Sequence, residues 1–527
     1  MPRRTLASLL AAATTVAAGA TAHAFCGFFV SGADAKLYNN ASQVVLMRKG
    51  NHTAMTMSNN YKGPPEDFAM VVPVPVVLKK EQVKTLKPEV FKAVDTMSAP
   101  RLVEYWEQDP CWVPPPPMPM PTMSAGAVRE DGAEMARGRP QDFGVKIEAQ
   151  FQEGEYQILI LSAKDSGGLD AWLRLNKYKI PDGAAAALAP YVREQMKFFV
   201  AKVDIKKVKR DAHGLVVLSP LRFSFDSAEL RLPVRLGLLN AEGQQDLLIY
   251  ILSPDARYET ANYQNPFIPT NVEVSDSVKQ NFGAFYAELF DETLRKANNR
   301  AVVTEYAWDT PILQRPQPDM SWMSYHCDPC PAPETPPPSL SDWVTLGDET
   351  ILGALATTKP GQQQKSFQLP QGVPENWVLT RLHTRYDKAT LNEDLIFRAA
   401  KPMIGGTANG DGTSADQGAT ASSDGKSRFQ GRYIIRHYWE GPVACASPRY
   451  NIWTGPPSDP NLAKTAYRSS TTVAASGGGT KTAGDLANAK RGVVKLAAVV
   501  KSPVPTLGLK GVPRPPLRKG EAPQPRR

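Results

Sequence analysis

The stretch that decides the fold class is Val145–Leu161, VKIEAQFQEGEYQILIL. Val145, Ile147, Ala149 and Phe151 alternate with Lys146, Glu148, Gln150 and Gln152, the period of two of a half-buried strand. Glu153-Gly154 turns the chain and Tyr156–Leu161 returns, so the segment reads as a β-hairpin. Downstream, strands are expected at Phe198–Ile205, Leu221–Phe225, Leu230–Leu236 and Leu247–Leu252. In the third of these Leu230, Leu232, Val234 and Leu236 face one way, and Arg231 and Arg235 the other. Upstream, Gln43–Arg48 and Asn51–Asn59 read as strands. Asp67–Leu78 (DFAMVVPVPVVL) is an edge or bulged strand, because Pro73 and Pro75 both lack the N–H on one side. Arg101–Trp106 is extended.

Helical signals are fewer. Lys80–Met97 reads as a helix with Pro88 opening its second half, and Leu169–Tyr178 and Gly183–Gln195 are short helices. The strongest is Asp276–Ala297, where Val278, Phe282, Phe285, Tyr286, Leu289, Phe290 and Leu294 form an apolar stripe at helical spacing. The expected class is α+β and mainly antiparallel, with two β-rich sandwich-like regions and a few packed helices.

Prolines and low-complexity runs divide the chain. With 47 prolines among 527 residues, linkers and edge strands are expected. The reading places an N-terminal β-rich part at 25–111, a proline-rich linker at 112–142 and an α+β core at 143–309. A second β-rich region follows at 310–455, with a flexible, polar insertion at 405–427. Residues 456–527 read as a disordered basic tail.

The N-terminus carries an export signal. Arg3 and Arg4 precede an uncharged run that ends in Ala22-His23-Ala24, so cleavage is expected between Ala24 and Phe25. Localisation is then periplasmic, cell-surface or secreted. The formal charge is +9, yet Lys490–Arg527 holds ten Lys/Arg and one acid and accounts for all of it. The body is near neutral, so nucleic acid is not an expected partner. The tail points instead to anionic envelope polymers or a lipid surface.

Five cysteines follow the signal: Cys26, Cys111, Cys327, Cys330 and Cys445. In an oxidising compartment disulfides are the default, one thiol is left over, and the sequence does not choose among the pairings. Cys327-Asp328-Pro329-Cys330 also admits a redox dithiol or a metal site. The prolines that follow leave no helix to stabilise a thiolate, and no second ligand pair completes a tetrahedron. Gly477–Thr482 lacks the glycine that a phosphate loop needs before its lysine. Asn409–Gly412 has Thr407 where a calcium loop starts with a carboxylate. G-x-S-x-G and H-E-x-x-H are absent from the sequence, so no catalytic residue is assigned and no cofactor is expected. Arg381, His383 and Arg385 alternate along Trp377–Tyr386 and share a face. They are a weak anion-binding candidate, against the plainer expectation of a solvated face answered by Asp387, Glu393 and Asp394.

Several blocks together carry a family resemblance: FCGFFVSGADAKLYNNASQVVLMR, DFAMVVPVPV, SAPRLVEYWEQDPC, LDAWLRLNKYKIP, LSPLRFSF and QDLLIYIL. The chain resembles the exported bacterial proteins grouped as domain of unknown function 2330. That resemblance implies a signal-bearing envelope or secreted protein with recurring cysteines, and it brings no catalytic residues. The expected function is a disulfide-stabilised, non-enzymatic binding or structural module. The alternatives are thiol–disulfide chemistry or metal binding at Cys327 and Cys330.

Overall fold

The computed structural model describes residues 28–30, 41–58, 69–112, 145–176, 178, 181–210, 216–240, 244–311, 376–407, 418–457, 466–467 and 492–512. In chain order the strands begin with β1 (Phe28–Val30), β2 (Ala41–Lys49), β3 (His52–Ser58), β4 (Ala69–Val74), β5 (Val83–Thr85) and β6 (Arg101–Glu107). Next come β7 (Val145–Glu153), β8 (Tyr156–Ala163), β9 (Lys197–Val203), β10 (Lys209–Arg210), β11 (Val216–Val217), β12 (Leu221–Asp226) and β13 (Leu230–Leu232). Then follow β14 (Gln245–Ser253), β15 (Arg257–Thr260), β16 (Val272–Glu273), β17 (Val303–Pro311) and β18 (Asn376–Tyr386). The last are β19 (Leu395–Ala400), β20 (Met403–Gly405), β21 (Thr420–Ala421), β22 (Arg428–Gln430), β23 (Arg432–His437) and β24 (Trp453–Thr454). The longer α-helices among the described residues are α1 (Glu89–Ser98), α2 (Ser166–Leu175), α3 (Ala184–Arg193) and α4 (Phe282–Lys296), and a single turn, Leu496–Val499, follows near the C-terminus.

The class is α+β, built on mostly antiparallel sheets. A ten-stranded sheet runs β21-β20-β22-β17-β18-β14-β2-β3-β12-β5, and a five-stranded sheet runs β1-β4-β9-β8-β7. All nine residues of β14 are buried, as its central place requires; it pairs antiparallel with β18 and parallel with β2. The two sheets face each other across Val44, Leu46, Met55, Ile249 and Ile251 on one side and Met70, Val72, Ile158, Ile160 and Phe199 on the other. Helices α2 and α3 cover the outer face of the smaller sheet through Leu169, Trp172, Leu173, Leu188 and Tyr191. Helix α1 covers the far face of the larger sheet through Val90, Phe91 and Val94. Helix α4 packs with Leu102 of β6 and Tyr433 and Ile435 of β23, in a separate apolar cluster.

Several expectations need correction. The ten-stranded sheet draws strands from the parts assigned to 25–111, 143–309 and 310–455, so those boundaries do not separate sheets. Only Glu89–Ser98 of the expected 80–97 helix is α-helical. Before it lie a 3-10 turn (Lys80–Gln82) and β5, because Val83 pairs with Phe223 in the sheet and Pro88 starts the helix. The helix expected from Asp276 opens as a 3-10 turn and becomes α-helical at Phe282. The strand expected over 230–236 stops at Leu232, just before Pro233, which has no N–H to pair.

The opening hairpin also holds a surprise. A bulge between Ile147 and Ala149 flips the alternation, so Val145 and Ile147 face α2 and α3 while Ala149 and Phe151 face the other sheet. The segment expected at an edge is instead an inner strand: β4 lies between β1 and β9, and Pro73 is accommodated because β1 pairs only with Ala69–Val71 and ends before it.

The 456–527 segment is not wholly without structure. Val500, Val504 and Leu507 are buried in the α4 cluster, and the Lys501 N–H donates to the Glu273 carbonyl. The 405–427 insertion is likewise packed at its ends, where Gly405, Gly406 and Ser427 are buried.

Gly406 shows how tight that packing is. Its φ is +69°, and a Cβ there would stand 1.8 Å from the Gln430 carbonyl oxygen. Gly50, with φ +56°, has nothing within 4 Å of such a Cβ. Gly50→Ala is therefore expected to cost about 1–2 kcal/mol, the backbone penalty alone. Gly406→Ala should cost at least ~2 kcal/mol more, since backbone must shift. Urea midpoints of the two variants check the difference.

Candidate functional site

Arg381, His383 and Arg385 share one face of β18, as the alternation requires. That face is the interior, not solvent: whole-residue exposures are 0%, 4% and 5%. Asp387, Glu393 and Asp394 do not answer them; acids from other elements do.

A bulge between Thr304 and Tyr306 in β17 sets Glu305 against β18. Bulges re-aim a side chain in this way. Its carboxylate accepts from Arg381 Nε at 2.6 Å and lies 2.8 Å from His383 Nδ1. Arg381 Nη1 also donates to Asp95 of α1 at 2.6 Å. On the other side, His383 Nε2 lies 3.2 Å from Asp246 of β14, and Arg385 Nε lies 2.8 Å from the same carboxylate. Arg385 Nη1 then donates to Asp291 of α4.

The result is a line of alternating charge: Asp95, Arg381, Glu305, His383, Asp246, Arg385, Asp291. Asp291 is the solvent end, its side chain 33% exposed, whereas that of Glu305 is 0% exposed. Aromatic groups finish the insulation. Tyr250 and Tyr286 hydroxyls donate to Asp95 and Glu305. The Phe290 ring stacks on His383 at 3.8 Å, and the Arg385 guanidinium lies over the same ring.

Charge neutralisation governs the protonation states. Burial alone would depress the His383 imidazolium, but the Glu305 and Asp246 carboxylates outweigh it and raise its pKa to about 9. Burial alone would raise Glu305 and Asp246. The facing cations win, bringing Glu305 down to about 2 and holding Asp246 well below the usual range. With every cation already bonded to carboxylate, the three side chains are a structural ladder, and the anion-binding reading does not fit.

A second charged set ties the ends of the fold. β6 and β23 pair in parallel, Arg101 to Arg432 through Trp106 to His437. Glu104 of β6 is held by Lys279 at 2.7 Å and His437 at 2.9 Å. Burial raises the Glu104 pKa, and those two partners reverse the shift to a net lowering. Arg436 bridges to Glu273 at 2.8 Å. Just past both strands, Cys111 and Cys445, 334 positions apart in sequence, form a disulfide with Cα atoms 5.6 Å apart.

Of the sequence-predicted sites, the structure therefore joins Cys111 to Cys445 and buries Arg381, His383 and Arg385. Ala24, Phe25, Cys26, Cys327 and Cys330 lie outside the described residues. Sequence reading missed Asp95, Asp246 and Glu305. Asp95 left a signal: it sits beside Val94 on the apolar side of α1, where an unpaired acid would be costly. Among the described residues, no cluster of three or more His, Cys, Asp or Glu has metal-binding geometry, and no helix is long and apolar enough to cross a membrane.

The linkage to stability has a definite sign. His383 has a folded pKa above its ordinary 6.5, so its contribution is full below pH 6.5 and fades as pH rises through about 9. Glu305 and Asp246 have lowered values; their contribution is full above their ordinary 4.5 and 3.8 and is lost towards pH 2 and below. Urea unfolding against pH should show a plateau near pH 5–6 and an alkaline decline between 6.5 and 9. His383→Gln should flatten that decline. Glu305→Gln should lose roughly 3–5 kcal/mol at pH 6, the cost of breaking a buried pair.

A family model described as "Uncharacterized protein conserved in bacteria (DUF2330)" matches residues 20–398. β20–β24 and the 492–512 segment lie beyond that match. No curated protein and no solved structure matches the chain.

Proposed function

The chain belongs to the DUF2330 family of uncharacterised proteins conserved in bacteria, and from that premise we propose that it is an exported, disulfide-clasped module that binds or scaffolds rather than catalyses. One observation carries the proposal: the Cys111–Cys445 bridge. A disulfide persists in an oxidising compartment and is reduced in the cytosol. Its position supports the role, since it fastens the paired strands β6 and β23 at their shared end and so locks the C-terminal third to the N-terminal part. The export signal at residues 1–24 agrees with this reading. The ladder on β18 supports it in a different way. Its charged groups are bonded to one another and buried, which suits a rigid support better than proton transfer to a substrate.

The test is differential alkylation with mass spectrometry on protein recovered from the exported fraction, before and after reductant. Cys111 and Cys445 should be protected as one bridge and freed on reduction. Chain entropy for so long a loop predicts a stabilisation of roughly 6 kcal/mol, so reduction should lower the melting temperature by several degrees. Free thiols at both positions in exported protein would refute the clasp. A readily cycling Cys327–Cys330 pair would move thiol–disulfide chemistry to first place.

A further inference from the structure

Past β23 the chain makes a loop that is tied at its base and at its tip but not between. Glu107, the last residue of β6, is fully buried. Its carboxylate accepts the Trp439 N–H at 2.9 Å and the Asn451 N–H at 2.7 Å, and so closes the base of residues 440–450. Two more backbone bonds reinforce that base. The Glu440 N–H donates to the Ala466 carbonyl at 2.7 Å, and the Arg449 N–H to the Pro110 carbonyl at 2.8 Å. Between them, the hydrogen bonds and covalent links of 441–448 to other described segments are confined to Cys445. These are the disulfide to Cys111 and a bond from the Cys445 N–H to Cys111 Sγ at 3.2 Å. Pro442, Val443, Ala444, Ala446 and Ser447 are exposed.

The two sulfurs sit in different surroundings. Cys111 is held by a tight turn: its N–H donates to Asp109 Oδ1 at 2.8 Å, the Trp112 N–H donates to the Asp109 carbonyl at 2.9 Å, and Pro110 is buried. Cys111 Sγ faces an N–H donor, whereas Cys445 Sγ lies 3.8 Å from the Pro110 carbonyl oxygen. A donor stabilises negative charge on sulfur, and a carbonyl oxygen opposes it. Negative charge released from the bridge is therefore better placed on Cys111. The Asp109 carboxylate is the opposing influence, partly answered by the N–H that it accepts.

We propose that residues 441–448 form a latched loop, released when the dithiol of a partner protein exchanges with the Cys111–Cys445 bridge, while β6 and β23 stay paired. A partner thiolate attacks Cys445 Sγ, the Cys111–Cys445 bond breaks, and its electron pair leaves on Cys111 as a thiolate. The partner's second thiol then displaces Cys445, and its proton passes to Cys445. The partner ends oxidised as its own disulfide, and Cys111 and Cys445 end reduced. Sterics point the same way, because the mixed disulfide forms on the segment that can swing out and not on the fixed turn. The pairs from Arg101–Arg432 to Trp106–His437 and the two N–H bonds to Glu107 need no bridge to persist. A disulfide stabilises chiefly through the unfolded chain, so a lower melting temperature and an intact native sheet are compatible. The inference rests on the bridge of the exported-module reading and adds what its opening does.

The full oxidised chain is first mapped without reductant for the Cys111–Cys445 bridge. Its absence would remove the exported-module reading and the latch together; every later outcome bears on the latch alone. The first probe is glutathione, quenched with acid early in the reaction, with the adduct located by mass spectrometry. It should sit on Cys445 at least about fivefold more often than on Cys111, and Asp109→Asn should widen that ratio. After full reduction with a small dithiol, trypsin should cut after Arg449, at the foot of the loop, at least about tenfold faster than in the oxidised protein. Arg436 in β23 should stay uncut. An adduct shared equally or placed mainly on Cys111 would overturn the proposal. So would an unchanged rate at Arg449, or cleavage after Arg436 as fast as after Arg449, since the sheet would then open with the loop.

Discussion

The ionic ladder across β18 is the constraint on which the rest of the large sheet depends. Its seven groups come from α1, β14, β17, β18 and α4, so it forms only when all five elements are in place. Each charge is expensive to bury alone, and a pair costs less only when the geometry is good. The register of β14 against β18 puts Asp246 opposite Arg385. The bulge in β17 delivers Glu305 to both Arg381 and His383. A slip of one residue in either strand would turn these side chains to the wrong face and leave several buried charges unpaired. Hydrophobic contacts supply the bulk of the stabilisation; the ladder selects one register among those the apolar pattern would tolerate.

That division explains what was legible in the sequence. The hairpin, the paired short helices 166–175 and 184–193, and the apolar stripe of α4 were readable because each is a local pattern. The shared face of Arg381, His383 and Arg385 was readable too, since alternation is local. Whether that face met water was not. The answer lies in Asp95, Asp246 and Glu305, which stand 286, 137 and 78 positions or so from their partners in the chain. Charge on a strand usually means solvent, and the exception depends on contacts that spacing cannot reveal. The bulges at Ile147/Ala149 and Thr304/Tyr306 escaped for a related reason: a strand's own sequence does not show how its neighbour is counted.

Sheet membership was illegible on the same ground. Proline-rich stretches looked like separators, yet the chain passes through them and returns to the same sheet. β2 and β3 from the first part, β12 and β14 from the middle and β18 from the last lie side by side. β6 and β23 repeat this in a smaller sheet, with the disulfide at their end. Composition marks where a chain cannot pack; it does not mark which packed segments belong together.

Long-range closure has a consequence for how the fold is reached. The parallel pairings β2–β14 and β6–β23, the ladder and the disulfide all join residues far apart in sequence. Loop-closure entropy must be met before such contacts reward it, so formation is slow and the central strands stay exposed meanwhile. β14 and β18 are the elements at risk, since β14 is apolar from Leu247 to Leu252 and β18 carries Trp377, Val378, Leu379 and Leu382 beside its cations. The alternating charges on β18 then have a second use. Unpaired, they keep one face of that strand soluble; paired, they vanish into the core. The same residues that fix the register of the finished sheet thus oppose wrong pairings before it closes, which a purely apolar strand in that position would invite.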